Sequence, residues 1–317
     1  MDSAIFLGKL IIVKCLKLNS RSVSVSMADD TTEGVKQFSA TCSELAEGPL
    51  WHSDRCSLLW VNILGNTLHE RKLDSDVEQV WELPVTPSSL ALDGGADDIV
   101  WVLTNSHLCK FDLSKDELTF CVDLALSSEF RTNDGSVGPD GKYWFGTMKW
   151  QPEDTQGKIF SVDTSGTITQ QHNGVAIPNT FCWINDEVML LSDSFKQECY
   201  AFNTQNKECH RFISLKNTEG TPDGGAVDSV GNIWIALWGA GKVVCYTPTG
   251  EAIKEIALPV LQPSSCCFGG SDLKTLFITS AKEGLENDGS EAYNLAGFVF
   301  SVDVGIKGLE AQRFNGQ

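Results

Sequence analysis

Six apolar strand centres recur along this chain at a nearly constant interval, and that interval constrains the fold more than any other feature. They are Leu59-Trp60, Val100-Trp101, Tyr143-Trp144, Met189-Leu190, Ile233-Trp234 and Leu276-Phe277, spaced 41 to 46 residues apart. A period in this range is that of one four-stranded propeller blade. Turn signals precede several centres: Asp93-Gly94-Gly95, Pro139-Asp140-Gly141 and Gly231-Asn232. Glycine and asparagine there supply the positive φ that hairpin turns need. Further strands follow most centres, at 108–112, 158–163, 199–203 and 242–246, and the second and last of these end in turns at Gly166 and Gly250. The pattern predicts an all-β, six-bladed β-propeller with four-stranded blades. It fills one domain over residues 31–317, behind a tail over residues 1–30. The first strand, around 35–41, is expected to pair with the last blade near 298–302 and so protect the free edges. A β-sandwich or barrel also uses short strands but gives no reason for such a period.

Composition fits this reading and narrows the function. Apolar residues make up 42 % of the 317, with 28 Gly, 9 Trp and 16 Phe, which suits short strands and tight turns. The formal net charge is −18. An acidic surface repels phosphate backbones and anionic lipid, so neither nucleic acid nor a membrane is an expected partner. The 11 Cys are odd in number and irregular in spacing, with Cys266 and Cys267 adjacent. That is no secreted disulfide framework; it predicts reduced thiols, mostly buried, in a cytoplasmic compartment. No C-x-x-C pair occurs and the five His are scattered, which argues against a Cys/His zinc site. In residues 1–26, Ile5, Phe6, Leu7 and 10–13 form an apolar run broken by Lys9, too short to span a bilayer. The stretch reads as a dispensable extension before Met27 or as an organelle-targeting segment.

Strands that start at a propeller's axis bring polar residues together from distant parts of the sequence. Four segments offer such residues. Glu47-Gly48-Pro49-Leu50-Trp51 places a carboxylate before a Gly-Pro turn. Arg131-Thr132-Asn133-Asp134-Gly135 precedes Trp144. Ile177-Pro178-Asn179-Thr180 precedes Ser192-Asp193-Ser194. Thr221-Pro222-Asp223-Gly224 precedes Trp234. Taken singly, each has a plain structural explanation: Asp in Pro-Asp-Gly or Asn-Asp-Gly commonly just caps a turn.

Together and in order, with Ser265-Cys266-Cys267-Phe268-Gly269-Gly270 near the end, they resemble the senescence marker protein (regucalcin) / gluconolactonase / luciferin-regenerating-enzyme family over residues 40–317. The resemblance implies a propeller with one divalent cation at its axis, Ca²⁺, Zn²⁺, Mn²⁺ or Mg²⁺. It implies metal binding by Glu47, Asn179 and Asp223, and substrate contacts from Arg131 and Asn133. Asp223 is then the expected general base. An all-oxygen set suits hard cations, and such a metal polarises a carbonyl and acidifies water. The implied activity is metal-dependent opening of a sugar lactone by a monomer or weak homo-oligomer. The alternatives are a calcium-binding regulatory protein, or hydrolysis of an organophosphate or oxyluciferin-like heterocycle. Asp134 and Asp193 are expected to serve turns or to support the ligands from behind. Three departures stand out: Gly138 before Pro139, Thr180 where Gly usually follows the asparagine, and Gln151 in place of an acid. A threonine there is expected to keep the local turn out of conformations that favour glycine. Trp150 suggests an aromatic wall for a flatter ligand.

Overall fold

The computed structural model describes residues 34–75, 77–153 and 155–316. The tail expected over residues 1–30, with its targeting reading, lies outside the described residues. Six strands stand side by side around one axis: Ala46–His52, Pro87–Asp93, Phe130–Val137, Pro178–Trp183, Thr221–Val227 and Pro263–Gly269. Each leads into an antiparallel four-stranded blade that runs outward in sequence order, except that the outermost strand of blade 6 comes from the N-terminal side and blade 2 gains a short parallel strand at its inner edge. The molecule is thus a six-bladed propeller with four-stranded blades.

The six apolar centres all fall on the second strand of a blade, as in Ser57–Asn62 and Tyr143–Lys149. Such a strand has sheet partners on both edges and neighbouring blades against both faces. It therefore reads as a continuous apolar run rather than an alternating one. Trp60, Trp101, Trp144 and Trp234 occupy these strands and are 0–2 % exposed. Three of these indoles donate to turn aspartates. Trp101 Nε1 lies 2.9 Å from Asp93, Trp144 Nε1 3.1 Å from Asp140, and Trp234 Nε1 3.1 Å from Asp228. The turn acids that punctuate the sequence thus also satisfy a buried donor, which is costly to leave unpaired.

The ring closes as the repeat predicts. Lys36–Gln37 forms the outermost strand of blade 6, pairing Lys36 with Ser301 and Gln37 with Phe300. Blade 1 latches this segment: the Glu78 carboxylate accepts from the amide of Ala40 at 2.7 Å, and Arg71 donates to the carbonyl of Phe38. At the other terminus, Arg313–Phe314 pairs in parallel with Leu92 and Asp93. Because those residues end their innermost strand, the C-terminal segment crosses the end of the ring opposite the strand starts. Every cysteine among the described residues is unpaired; Cys42 and Cys56 are exposed and the other described thiols at least partly buried. No helix among the described residues is long and apolar enough to cross a membrane.

Candidate active site

All six innermost strands bulge close to their starts. The register slips between Glu47 and Leu50, Pro87 and Ser89, Thr132 and Gly135, Asn179 and Cys182, Pro222 and Gly225, and Pro263 and Ser265. A bulge leaves a residue unpaired and re-aims its side chain. Glu47, Asn133, Asn179 and Asp223 lie in or next to four of these bulges, and Ser88 and Ser264 occupy the other two. Two carboxylates and two carboxamides are thus brought to one end of the axis, while the Ser88 and Ser264 hydroxyls bond to neighbouring strands, at Thr132 and at the carbonyl of Ala46.

Backbone conformation at two of the bulges is unusual. Gly48, after Glu47, has φ +54°, and Thr180, after Asn179, has φ +59°. For glycine this is unstrained, but a β-branched residue is rarely found there. The expectation that Thr180 keeps its turn out of the left-handed region is therefore wrong. The surroundings over-determine it: its hydroxyl donates to the carbonyl of Asp223 and meets the Ser192 hydroxyl at 2.7 Å. Strain of this kind persists only where neighbours enforce it.

A chain of hydrogen bonds fixes the two amides. Arg131 donates to Asn133 Oδ1 at 2.7 Å and to the carbonyl of Thr132 at 2.9 Å. Asn133 Nδ2 donates to Asn179 Oδ1 at 2.8 Å and to the carbonyl of Pro178 at 3.0 Å. Asn179 Nδ2 donates to Ser194 Oγ at 2.8 Å, and that hydroxyl donates to the carbonyl of Pro222 at 2.6 Å. Since Ser194 spends its proton on Pro222, it must accept from Asn179, which settles which amide atom is nitrogen.

The carboxylates are a mutually repulsive group. Burial pushes Glu47 up to about 8, with the charge of Asp134 adding to it; the Gly48 amide and Arg131 oppose it. Glu47 keeps part of its surface exposed, yet protein packs closely around its carboxyl. Asp223 is raised well above the usual carboxylate range by burial first, then by Glu47 and Asp134, against the pull of Arg131. Asp134 is raised to about 6 by burial, although the amides of Gly135 and Phe181 donate to it. Arg131 is lowered by burial, opposed by Glu283, Glu47 and Asp223.

Asp134, expected to serve a turn or to support the ligands from behind, accepts from the amides of its bulge and raises the carboxyls of Glu47 and Asp223. The bulge sets Asn133 and Asp134 together against Gly146 alone, so both can serve the axis. Asp193 does behave as a local cap, accepting from the amides of Ala176 at 3.0 Å and Ile177 at 3.3 Å. Ser194 lies in a segment the sequence singled out but had no role assigned to it, and Glu283 carried no sequence signal. A cavity of about 520 Å³ lies farther along the axis, lined by Trp51, Asp134, Phe181, Trp183, Phe268 and Leu309. It does not contain Glu47, Asn133, Asn179 or Asp223, so cavity size and polar convergence point to different ends of the channel. The polar end is the better candidate, because chemistry needs convergent charged and hydrogen-bonding groups. Among the described residues, no group of three or more His, Cys, Asp and Glu side chains is arranged to hold a metal.

A family model described as the SMP-30/Gluconolactonase/LRE-like region matches residues 45–282. Regucalcin of Gallus gallus is 29 % identical over 285 residues, covering 86 % of this chain and 95 % of that protein. A pentonolactonase of Haloferax volcanii is 31 % identical over 286 residues, covering 84 % and 94 %. Among solved structures, a regucalcin of Agrobacterium tumefaciens, described as a calcium-binding protein, superimposes with a TM-score of 0.83 at 28 % identity, covering 89 % of this chain and 97 % of the other.

Proposed function

The chain belongs to the SMP-30/gluconolactonase/LRE-like family, and on that premise we propose that it is a divalent-metal-dependent lactonase that opens a sugar lactone. The observation that carries this reading is the meeting of Glu47 and Asp223 with the carboxamides of Asn133 and Asn179 at one end of the axis. The donor set fits a hard cation: it is all oxygen, and its two carboxyls are pushed up by burial first and then by neighbouring carboxylates, Asp134 for Glu47 and Glu47 with Asp134 for Asp223. A bound cation would offset that penalty.

Glu47, Asn179 and Asp223 would hold the metal. When bound it supplies positive charge that polarises the lactone carbonyl and eases deprotonation of water. Asp223 takes the proton of the attacking water as general base. Arg131, braced over Trp150 and bonded to Asn133, donates to the oxygen on which negative charge develops. Collapse breaks the ring ester, and Asp223 returns its proton to the departing alkoxide, giving the hydroxy acid. The substrate is a small molecule; neither nucleic acid nor membrane is required.

The test is hydrolysis of glucono-δ-lactone after chelation and re-addition of Ca²⁺, Mg²⁺, Mn²⁺ or Zn²⁺. Turnover that survives Asp223→Ala, or survives chelation, would sink the mechanism. A second reading, calcium binding without turnover, is favoured by the description of the Agrobacterium relative. Calorimetric Ca²⁺ binding with no lactone opening under any of the four metals would establish it instead.

A further inference from the structure

Arg131 and Glu283 come from blades 3 and 6, opposite one another in the ring. Arg131 is the second residue of the innermost strand of blade 3. Glu283 follows the second strand of blade 6, beyond Ser280, whose partner Pro263 begins an innermost strand. The guanidinium of Arg131 lies 5.7 Å from the ring centroid of Trp150, which is 41 % exposed. Of the carboxylates acting on Arg131, Glu283 acts most strongly, ahead of Glu47 and Asp223. Yet no ion pair closes between Arg131 and Glu283 among the described residues.

The loop bearing Glu283 is held rigidly. Its amide and that of Lys282 both donate to the carbonyl of Glu44, at 3.0 and 2.8 Å, and its carbonyl accepts from Gln262 Nε2 at 3.0 Å. The carboxylate itself accepts no hydrogen bond among the described residues and is half-buried. Glu283 is thus a fixed acceptor on a loop tied to Glu44, three residues before Glu47, and Arg131 is a fixed donor with an aromatic face beside it. Gln151, next to Trp150, is neutral and exposed, so it does not duplicate the acid.

We propose that Glu283 is a substrate-binding residue, accepting a hydrogen bond from a ring hydroxyl of a polyhydroxylated lactone whose oxygens face Arg131 and whose C–H face lies on Trp150. A lactone ring without hydroxyls offers Glu283 no donor and leaves its charge unsatisfied, so Glu283 selects for hydroxylated rings. This rests on the lactonase reading and assigns the residue that sets its substrate class.

The experiment measures kcat/KM of wild type, Glu283→Gln and Glu283→Asp on glucono-δ-lactone and on δ-valerolactone, which lacks the hydroxyls. In Glu283→Gln the ratio of the two falls about tenfold, the size of one charge-assisted hydrogen bond, and mainly through KM for the hydroxylated ring. Glu283→Asp keeps the charge and retains the larger part of the ratio. Partial misfolding lowers both activities together and leaves the ratio alone, so a ratio in Glu283→Gln equal to that of wild type overturns the assignment. If the wild type opens neither lactone, the lactonase reading itself has failed. Glu283 is then judged by calorimetry with sorbitol: weaker binding by Glu283→Gln supports its role as a hydroxyl acceptor, and equal binding or none by the wild type overturns it.

Discussion

The hydroxyl of Thr180 donates to the backbone carbonyl of Asp223, so a residue in blade 4 with φ +59° fixes the backbone of a carboxylate in blade 5. Two bulges are thereby locked to one another, and the strain at one becomes the positioning of the other. Thr180→Val keeps the shape and the strain but removes the hydroxyl, leaving the Asp223 carbonyl and the Ser192 hydroxyl short of a partner. It is expected to destabilise the fold by about 1–3 kcal/mol in urea denaturation. A loss below about 0.5 kcal/mol would mean that the contact does not hold the bulge.

Glu47 raises the Asp223 carboxyl, and under the proposed function a bound cation would relieve that repulsion. Asp223→Asn should therefore raise the melting temperature of chelated protein while abolishing the stabilisation that added metal gives the wild type. Lactonase turnover should fall at least about a hundredfold. Melting curves with and without chelator check the first part; equal metal-induced shifts in both proteins would contradict it.

Away from the axis, Arg55 grips Glu70 with Nε at 2.8 Å and Nη2 at 2.9 Å, and Ser57 Oγ adds a bond at 2.6 Å. Burial alone would raise the Glu70 carboxyl, but the bonds from Arg55 and Ser57 outweigh it and hold it below its ordinary value. A depressed folded pKa gives stability that is complete above the unfolded pKa, about 4.3, and is lost as pH falls through the folded value. Glu70→Gln should cost about 1–3 kcal/mol at pH 7 and flatten the acid limb of a stability–pH curve. An unchanged acid limb would remove Glu70 from the account.

The ring is closed by a two-residue strand, Lys36–Gln37, held from blade 1 by Glu78 and Arg71. Chains begun at Gly34 and at Cys42 isolate its contribution. One begun at Cys42 lacks the outer strand of blade 6 and should melt more than about 5 °C lower. Equal melting of the two would show that the closure adds no stability.

Much of this was legible in the sequence, and the illegible part has a pattern. The centres at Trp60, Trp101, Trp144 and Trp234 gave away their strands because a strand buried on both faces must be apolar throughout. The closure by 36–37 followed from the need to cover an edge. Glu47, Asn133, Asn179 and Asp223 could be singled out, but only through four segments taken together. Thr180 was misjudged because propensity argues against left-handed threonine, and the force that overrides it comes from Ser192 and the Asp223 carbonyl. Asp134 was undervalued because a turn-former in sequence looks the same whether it faces solvent or the axis. Glu283 was not seen, since a lone glutamate in a loop has no local signature.

The sequence by itself therefore determined the ring: period, blade number, burial of the second strands and the run of polar residues at the strand starts. These are encoded locally, in spacing and in side-chain polarity. The tertiary structure alone decided which side chains share the axis, which amide atom faces which, that Asp134 charges the channel, and that Glu283 stands opposite Arg131. Those relations join blades separated by long stretches of chain, and a bulge re-aims its side chain through backbone angles that the neighbouring blade imposes.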